Sequence, residues 1–310
     1  MSAALPRFAH RGFALRKGTL RYDPRGDLIF PSVVPTEGCV ANPLGRFYLY
    51  YAPHDAPGGL CLAHSDDLSG PWTEHPANPL IGRVWVGHYE VSHVSSPHAL
   101  WMPGAGRLFL YFHGENNTTR VASSRDGIHF EYERVAVDTT MYEEISEASY
   151  ARVFPCAVPG RDTTHVLLFM GNNAGTRRVY AAWSKDGLHF ESQRRPLVSP
   201  PPGTAVSQVG GPWLFPFQGR NLVVFHGDIQ QAAPSLVGIT SDLYVADVGP
   251  GFDREDHLGV FYPRTQAGAD TARVSDPCIV EEAGIRYLFS AVGPRLGQEI
   301  AWAIEETPVA

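Results

Sequence analysis

The sequence predicts an all-β chain: a single five-bladed β-propeller of four-stranded antiparallel blades, with the last blade closed by an N-terminal strand. Three observations predict it. A Ser-x-Asp turn motif recurs at steps of 59, 60 and 57 residues, counted from Ser65 to Ser124, Ser184 and Ser241. A fixed succession of short apolar strands surrounds each copy. No stretch carries sustained apolar spacing at 3.6 residues, so helix content is expected to be low.

The turn motif reads Ser65-Asp66-Asp67-Leu68, then Ser124-Arg125-Asp126-Gly127-Ile128-His129-Phe130, then Ser184-Lys185-Asp186-Gly187-Leu188-His189-Phe190. Ser241-Asp242-Leu243 reads as a degenerate fourth copy. Asp-Gly suits a tight hairpin turn because Gly accepts positive φ. The motif follows strands at Leu60–His64, Thr119–Ser123, Val179–Trp183 and Leu236–Thr240, and Glu299–Ile304 is the fifth strand of this kind. Aromatic-rich strands precede them at Arg46–Tyr51, Arg107–Phe112, His165–Met170, Asn221–Phe225 and Ile285–Ser290. Before these stand the innermost strands, Ile29–Val33, Pro97–Trp101, Tyr150–Phe154, Gly211–Phe215 and Asp276–Val280. Four strands repeated at this period mean propeller blades. The expected blades are 29–78, 94–138, 147–198, 208–250 and 274–305, in one domain spanning 1–310. Few residues follow Ile304, so Thr19–Tyr22 is expected to supply the last blade's outer strand and remove a free edge.

Composition bounds the function. The chain has 310 residues, 44% hydrophobic, and a formal net charge of -7. It has no Lys/Arg run, which excludes a nucleic-acid footprint. No apolar window is long enough for a membrane helix, and the first twenty residues lack a signal-peptide core. Cys39, Cys61, Cys156 and Cys278 form no CxxC pair and lie in or beside apolar stretches, as buried thiols do. A cytoplasmic location is expected. Oligomeric state is left open.

Loops joining the second and third strands, and the connections into each inner strand, share one propeller face. That face collects His54-Asp55, His113-Gly114-Glu115, Asn172-Asn173 and His226-Gly227-Asp228. It also collects His93, Ser96-Pro97-His98, Glu147, Tyr150, Arg152, Gln208 and Ser275-Asp276-Pro277. Ordinary loop polarity accounts for Asn172, Asn173 and Gln208. It accounts less well for three loops opening with His-Asp or His-Gly-acid. Acids converging on a channel mouth repel one another unless they are used. The six tryptophans read mainly as blade packing, with Trp85 the best exception.

Several runs resemble a known family. Phe47-Tyr48-Leu49-Tyr50-Tyr51, Gly59-Leu60-Cys61-Leu62-Ala63-His64-Ser65 and Leu68-Ser69-Gly70-Pro71-Trp72 resemble the first blade of the five-bladed glycoside hydrolases. Those are the arabinanase/xylosidase, invertase-like and mannoside phosphorylase enzymes. Ser275-Asp276-Pro277 with Tyr287-Leu288-Phe289 resembles their last blade. The resemblance implies a base on the first inner strand, an acid that tunes pKa on the second and a general acid on the third. Here Phe30-Pro31-Ser32-Val33 offers no acid, and Ser96-Pro97-His98 has His where Asp is expected. Only Glu147 fits its implied place.

The resulting expectation is a glycosidase acting on an oligosaccharide or glycoside. Cleavage needs an acid at the leaving oxygen and a second group that activates water or attacks the sugar. Catalytic candidates are Glu147 as acid and Asp55, Asp228 and Asp276 as bases. Substrate-binding candidates are His54, His98, His113, Glu115, Arg152 and Asn172, with Arg152 suited to a substrate carboxylate. A divalent metal such as calcium in the central channel is the cofactor expectation. Two rivals stay open: a His/Tyr/Arg or metal-assisted lyase, and a noncatalytic sugar-binding propeller.

Overall fold

A computed structural model describes residues 5–142, 144–230, 238–268 and 271–306. It contains five four-stranded antiparallel sheets and one short hairpin, Val84–Trp85 with Tyr89–Glu90. From the channel outward, blade one is Ile29–Pro35, Phe47–Ala52, Cys61–Ser65 and Thr73–Glu74. Blade two is Val94–Met102, Arg107–Gly114, Thr118–Ser124 and Glu131–Asp138. Blade three is Ser149–Pro155, His165–Asn173, Thr176–Ser184 and Glu191–Ser192. Blade four is Gln208–Phe217, Arg220–Gln230, Ile239–Asp247 and Asp256–Tyr262. Blade five is Val274–Glu282, Ile285–Val292 and Glu299–Glu305, closed outside by Phe8–Leu15.

The second strands are buried through their middles because both faces pack on neighbouring blades, and Phe47–Ala52 is buried throughout. The repeated turns lock one blade to the next. Tyr50 Oη donates to the Gly127 carbonyl at 2.7 Å, and Tyr111 Oη donates to the Gly187 carbonyl at 2.8 Å. Gly127 has φ 73°, and a Cβ there would lie 2.8 Å from Tyr48 and Tyr50. Turn geometry and close approach both require glycine at that position.

Two expectations are corrected. The closing strand is Phe8–Leu15, paired with Glu299–Glu305, and Thr19–Tyr22 is a bent connection. Phe8 and Leu15 enter the core; the shorter Thr19–Tyr22 segment is instead tied to blade one, where the Glu74 carboxylate accepts from the Arg21 and Tyr22 amides at 2.6 and 3.0 Å. Blade four does not end at residue 250. Ser241-Asp242-Leu243 lies inside Ile239–Asp247, where Asp242 accepts from the Arg264 amide and guanidinium. The turn comes later, where Asp247 accepts from the Gly249 amide at 2.9 Å. Leu236, expected to start that strand, lies outside the described residues. The four cysteines are free, and Cys39 and Cys156 are only half-buried.

One irregularity positions the site. Each inner strand breaks register once, between Ile29 and Ser32, Ser95 and His98, Ser149 and Arg152, Gly210 and Trp213, and Ser275 and Cys278. Each break holds a left-handed residue: Phe30 (φ 58°), Ser96 (57°), Tyr150 (56°), Gly211 (54°) and Asp276 (53°). Four of them precede proline and the third precedes Ala151. A bulge re-aims side chains and resets the alternation beyond it. The residues after the break therefore bond across to adjacent inner strands. Ser32 Oγ accepts from the Ala99 amide at 2.9 Å, His98 Nε2 donates to the Val153 carbonyl at 2.7 Å, and Arg152 Nη1 donates to the Pro97 carbonyl at 2.8 Å. The Cys278 thiol accepts from the Val33 amide at 3.3 Å and completes the link between blades five and one.

Candidate active site

The five bulges bring Phe30, Ser96, Tyr150 and Asp276, all buried, to one end of the channel, with only a hydrogen at Gly211. The empty fourth position has a steric cause. A Cβ on Gly211 would lie 2.6 Å from Asp276 Oδ1 and 2.8 Å from His226 Nδ1.

Tyr150 is the centre of an aromatic group. Its ring meets Phe30 edge-on at 4.6 Å and His113 at 5.5 Å, and His54 stacks on Phe30 at 6.3 Å. His54 Nε2 lies 3.2 Å from Tyr150 Oη, and His54 Nδ1 lies 2.8 Å from Asp55 Oδ1. Asp55 is a carboxylate, so Nδ1 carries the proton and Nε2 accepts from the phenol. The His54 bond holds the Asp55 carboxyl below its ordinary range. Burial raises the Tyr150 phenol well above its ordinary value; Arg177 and Arg295 oppose that rise, and Asp276 and Glu147 add to it.

Asp276 is buried and held by a chain of side chains. Asp228 Oδ1 accepts from Arg273 Nη2 at 2.8 Å, and Arg273 Nη1 donates to Gln298 Oε1 at 3.2 Å. Gln298 Nε2 donates to Ser275 Oγ at 3.0 Å, and Ser275 Oγ donates to Asp276 Oδ2 at 2.9 Å. Oδ1 has no hydrogen-bond donor among the described residues and stands 3.5 Å from His226 Nδ1. Burial works against charging Asp228, yet Arg273 and His226 hold its carboxyl below the ordinary range. Buried polar groups normally find partners; Oδ1 instead packs, closed to solvent, against Gly211 and His226.

The other candidates separate. Glu147, before the third bulge, accepts both arms of the Arg177 fork at 2.9 and 3.0 Å. His113 packs beneath Tyr150, its pKa pushed far down first by burial and then by His93. Asn172 borders Arg177 in the strand ladder. Glu115 is used within the loops, accepting from the Ser92 amide at 2.6 Å. His98 and Arg152 were expected to touch substrate, but both lie past the bulge, in the channel wall. His98 is buried against Trp213 and Phe154, its pKa lowered to about 3 by burial and by Arg152. Arg152 is fully buried, and burial brings its pKa down to about 10. Arg177, Arg273 and Gln298 were not anticipated from sequence. Their only signal was position, near the mouth end of strands or of the connections into them.

A channel calcium does not fit these residues. Among the described residues no three His, Cys, Asp or Glu side chains are grouped to hold a metal ion. The Arg152 guanidinium, whose Nε and Nη2 have no partner among the described residues, sits in the channel wall instead. Among them, too, no helix is long and apolar enough to cross a membrane.

No protein-family model matches the chain. No curated protein matches it. Solved structures match it over nearly its full length. An α-L-arabinofuranosidase from Podospora anserina in complex with cellotriose aligns over 98% of both chains, with a TM-score of 0.66 and 10% identity. A structure from the family of mannoside phosphorylases that contains glycoside hydrolases targeting β-1,2 mannosidic linkages in Candida mannan covers 98% of this chain and 95% of its own. Its TM-score is 0.65 and its identity 14%. A thermostable family-43 glycoside hydrolase aligns over 70% of both chains, with a TM-score of 0.56 and 17% identity. At these identities the likeness is one of fold. The chain is a five-bladed β-propeller of the architecture these glycoside hydrolases share.

Proposed function

We propose that the protein cleaves a glycosidic bond at the bulged mouth of its channel, with Asp276 serving the leaving oxygen. The observation that carries this reading is the fifth bulge. It places one buried carboxylate at the channel end of the fifth blade, leaves Oδ1 without a donor among the described residues and fixes Oδ2 through Ser275. Glycoside cleavage requires such a group beside the scissile oxygen. Phe30 and Tyr150 pack as a buried aromatic pair beside that carboxylate, and the solved structures of like fold include enzymes that act on glycosides.

A panel of 4-nitrophenyl glycosides tests the reading. Wild type is expected to release 4-nitrophenol from at least one, and Asp276→Asn to lower turnover by about 10²–10⁴-fold. Sugar affinity without turnover would contradict it and indicate a binding module. The Tyr150–His54 pair favours a second reading, proton abstraction beside a uronate carboxylate followed by elimination. That reading predicts ultraviolet absorbance from an unsaturated sugar product, which hydrolysis does not produce.

A further inference from the structure

Resting on the glycoside-cleaving reading, we propose that Tyr150 is the catalytic nucleophile, with His54 as its base and Asp55 as the orienting group. Cleavage needs two functional groups, and the bulged ring supplies one carboxylate. Phe30 and Gly211 have no reactive side chain. Ser96 Oγ accepts from Arg152 Nη1 at 3.5 Å and, among the described residues, is hydrogen-bonded to no base. Tyr150 differs, because its hydroxyl meets an imidazole nitrogen whose partner nitrogen is held by a carboxylate. Nucleophile, base and orienter within hydrogen-bond reach is the arrangement that activates a weak hydroxyl. A tyrosine nucleophile is an established departure from the two-carboxylate rule in other glycosidases.

The step balances without a co-reactant other than water. His54 Nε2 takes the phenol proton as Tyr150 Oη bonds to the anomeric carbon. The bond from that carbon to the leaving oxygen breaks, and that oxygen receives a proton from Asp276. Tyr150 is then glycosylated, and Asp55 pairs with the imidazolium. Water gives a proton to Asp276 and attacks the same carbon. The bond to Oη breaks, and His54 returns its proton to the phenolate. Two displacements leave the anomeric configuration unchanged. Burial, Asp276 and Glu147 work against negative charge on Oη, Arg177 and Arg295 offset part of that, and Asp55 holds its charge opposite the imidazole.

The test uses whichever 4-nitrophenyl glycoside wild type cleaves. Proton NMR of the first-formed sugar should show retained configuration. The 2-deoxy-2-fluoro glycoside of the same sugar should inactivate the enzyme, with the adduct on the peptide containing Tyr150. Tyr150→Phe keeps the ring packing and should lower kcat at least about 10³-fold, with an unchanged circular dichroism spectrum. His54→Ala should also lose activity while keeping the fold. Inverted configuration, an adduct on Asp276 or Glu147, or a folded and active Tyr150→Phe overturns the nucleophile and leaves the glycosidase reading standing. Cleavage of no glycoside, or cleavage by elimination, removes both together.

Discussion

Glu147 and Arg177 form a two-armed ion pair beside the third bulge, with Nε and Nη2 donating at 2.9 and 3.0 Å. The Arg177 backbone amide in turn donates to Gln208 Oε1 at 2.6 Å. The pair fixes a positive charge facing Tyr150 and Asp228. Glu147→Gln keeps shape but loses the charge that holds the fork. A charge-assisted hydrogen bond contributes about 1.5–3 kcal/mol, and partial exposure of the pair puts this one at the lower end. The variant should therefore lose a few degrees of Tm and part of its turnover. The effect on kcat should be smaller than that of Asp276→Asn for every substrate. A larger effect that disappears when the leaving group needs no protonation would return the general-acid role to Glu147.

The closing strand yields a stability prediction. Phe8 packs against Phe261 at 5.7 Å, joining blade five to blade four. Phe8→Ala should cost about 3–5 kcal/mol, the usual range for a buried phenylalanine. Removal of residues 1–15 should lower Tm further and promote aggregation, because Glu299–Glu305 becomes a free edge. Thermal melts with light scattering check this, and an unchanged melt for the truncation would contradict ring closure by this strand.

Backbone strain at the bulges is testable at Ser96. A side chain at φ 57° meets the steric penalty of the left-handed region, about 1–2 kcal/mol. Ser96 already carries that penalty, so Ser96→Gly should recover part of it, less the roughly 0.5–1 kcal/mol entropic cost of glycine, and Ser96→Val, β-branched, should destabilise. Urea unfolding of the two variants separates the outcomes; equal stability would show that the bulge is not maintained.

Acid should destabilise the protein well before its carboxylates are neutralised. Burial depresses His98 to about 3, and His113 and His226 are lowered too. Arg152 adds to the first two, whereas Asp276 and Asp228 pull His226 the other way. In the unfolded chain these groups take up protons near pH 6.5. Below that pH the unfolded state binds protons the native state refuses. Stability present above about pH 6.5 is therefore lost as pH falls toward about 3, by up to about 1.4 kcal/mol per pH unit for each histidine. Tm should fall between about pH 7.5 and about pH 5, and His98→Gln should flatten the slope. A flat profile for wild type would mean these imidazoles are not buried neutral.

Much of the fold was legible because blades repeat local chemistry. Asp126-Gly127 and Asp186-Gly187 mark their turns, and the aromatic strands mark the interfaces that Tyr50 and Tyr111 tie. Ser241-Asp242 misled because the same two residues also serve a strand that binds Arg264. The closing strand was placed too late because burial of Phe8 and Leu15 depends on blades far away in sequence. At the site, His54, Asp55 and Asp276 were legible as polar groups on the mouth face. Arg152 and His98 were not, because strict alternation fails across a bulge. The repeated residue-proline pairs, Phe30-Pro31, Ser96-Pro97, Gly211-Pro212 and Asp276-Pro277, were the available signal for that reset.

A crystal structure of Asp276→Asn with a cleaved glycoside bound tests the central claim most directly. The account predicts the sugar over Phe30, its scissile oxygen within hydrogen-bond reach of residue 276 and its anomeric carbon facing Tyr150 Oη. A sugar seated elsewhere, for example in the pocket between Arg161, Trp183 and Glu191, with the mouth empty, would contradict it.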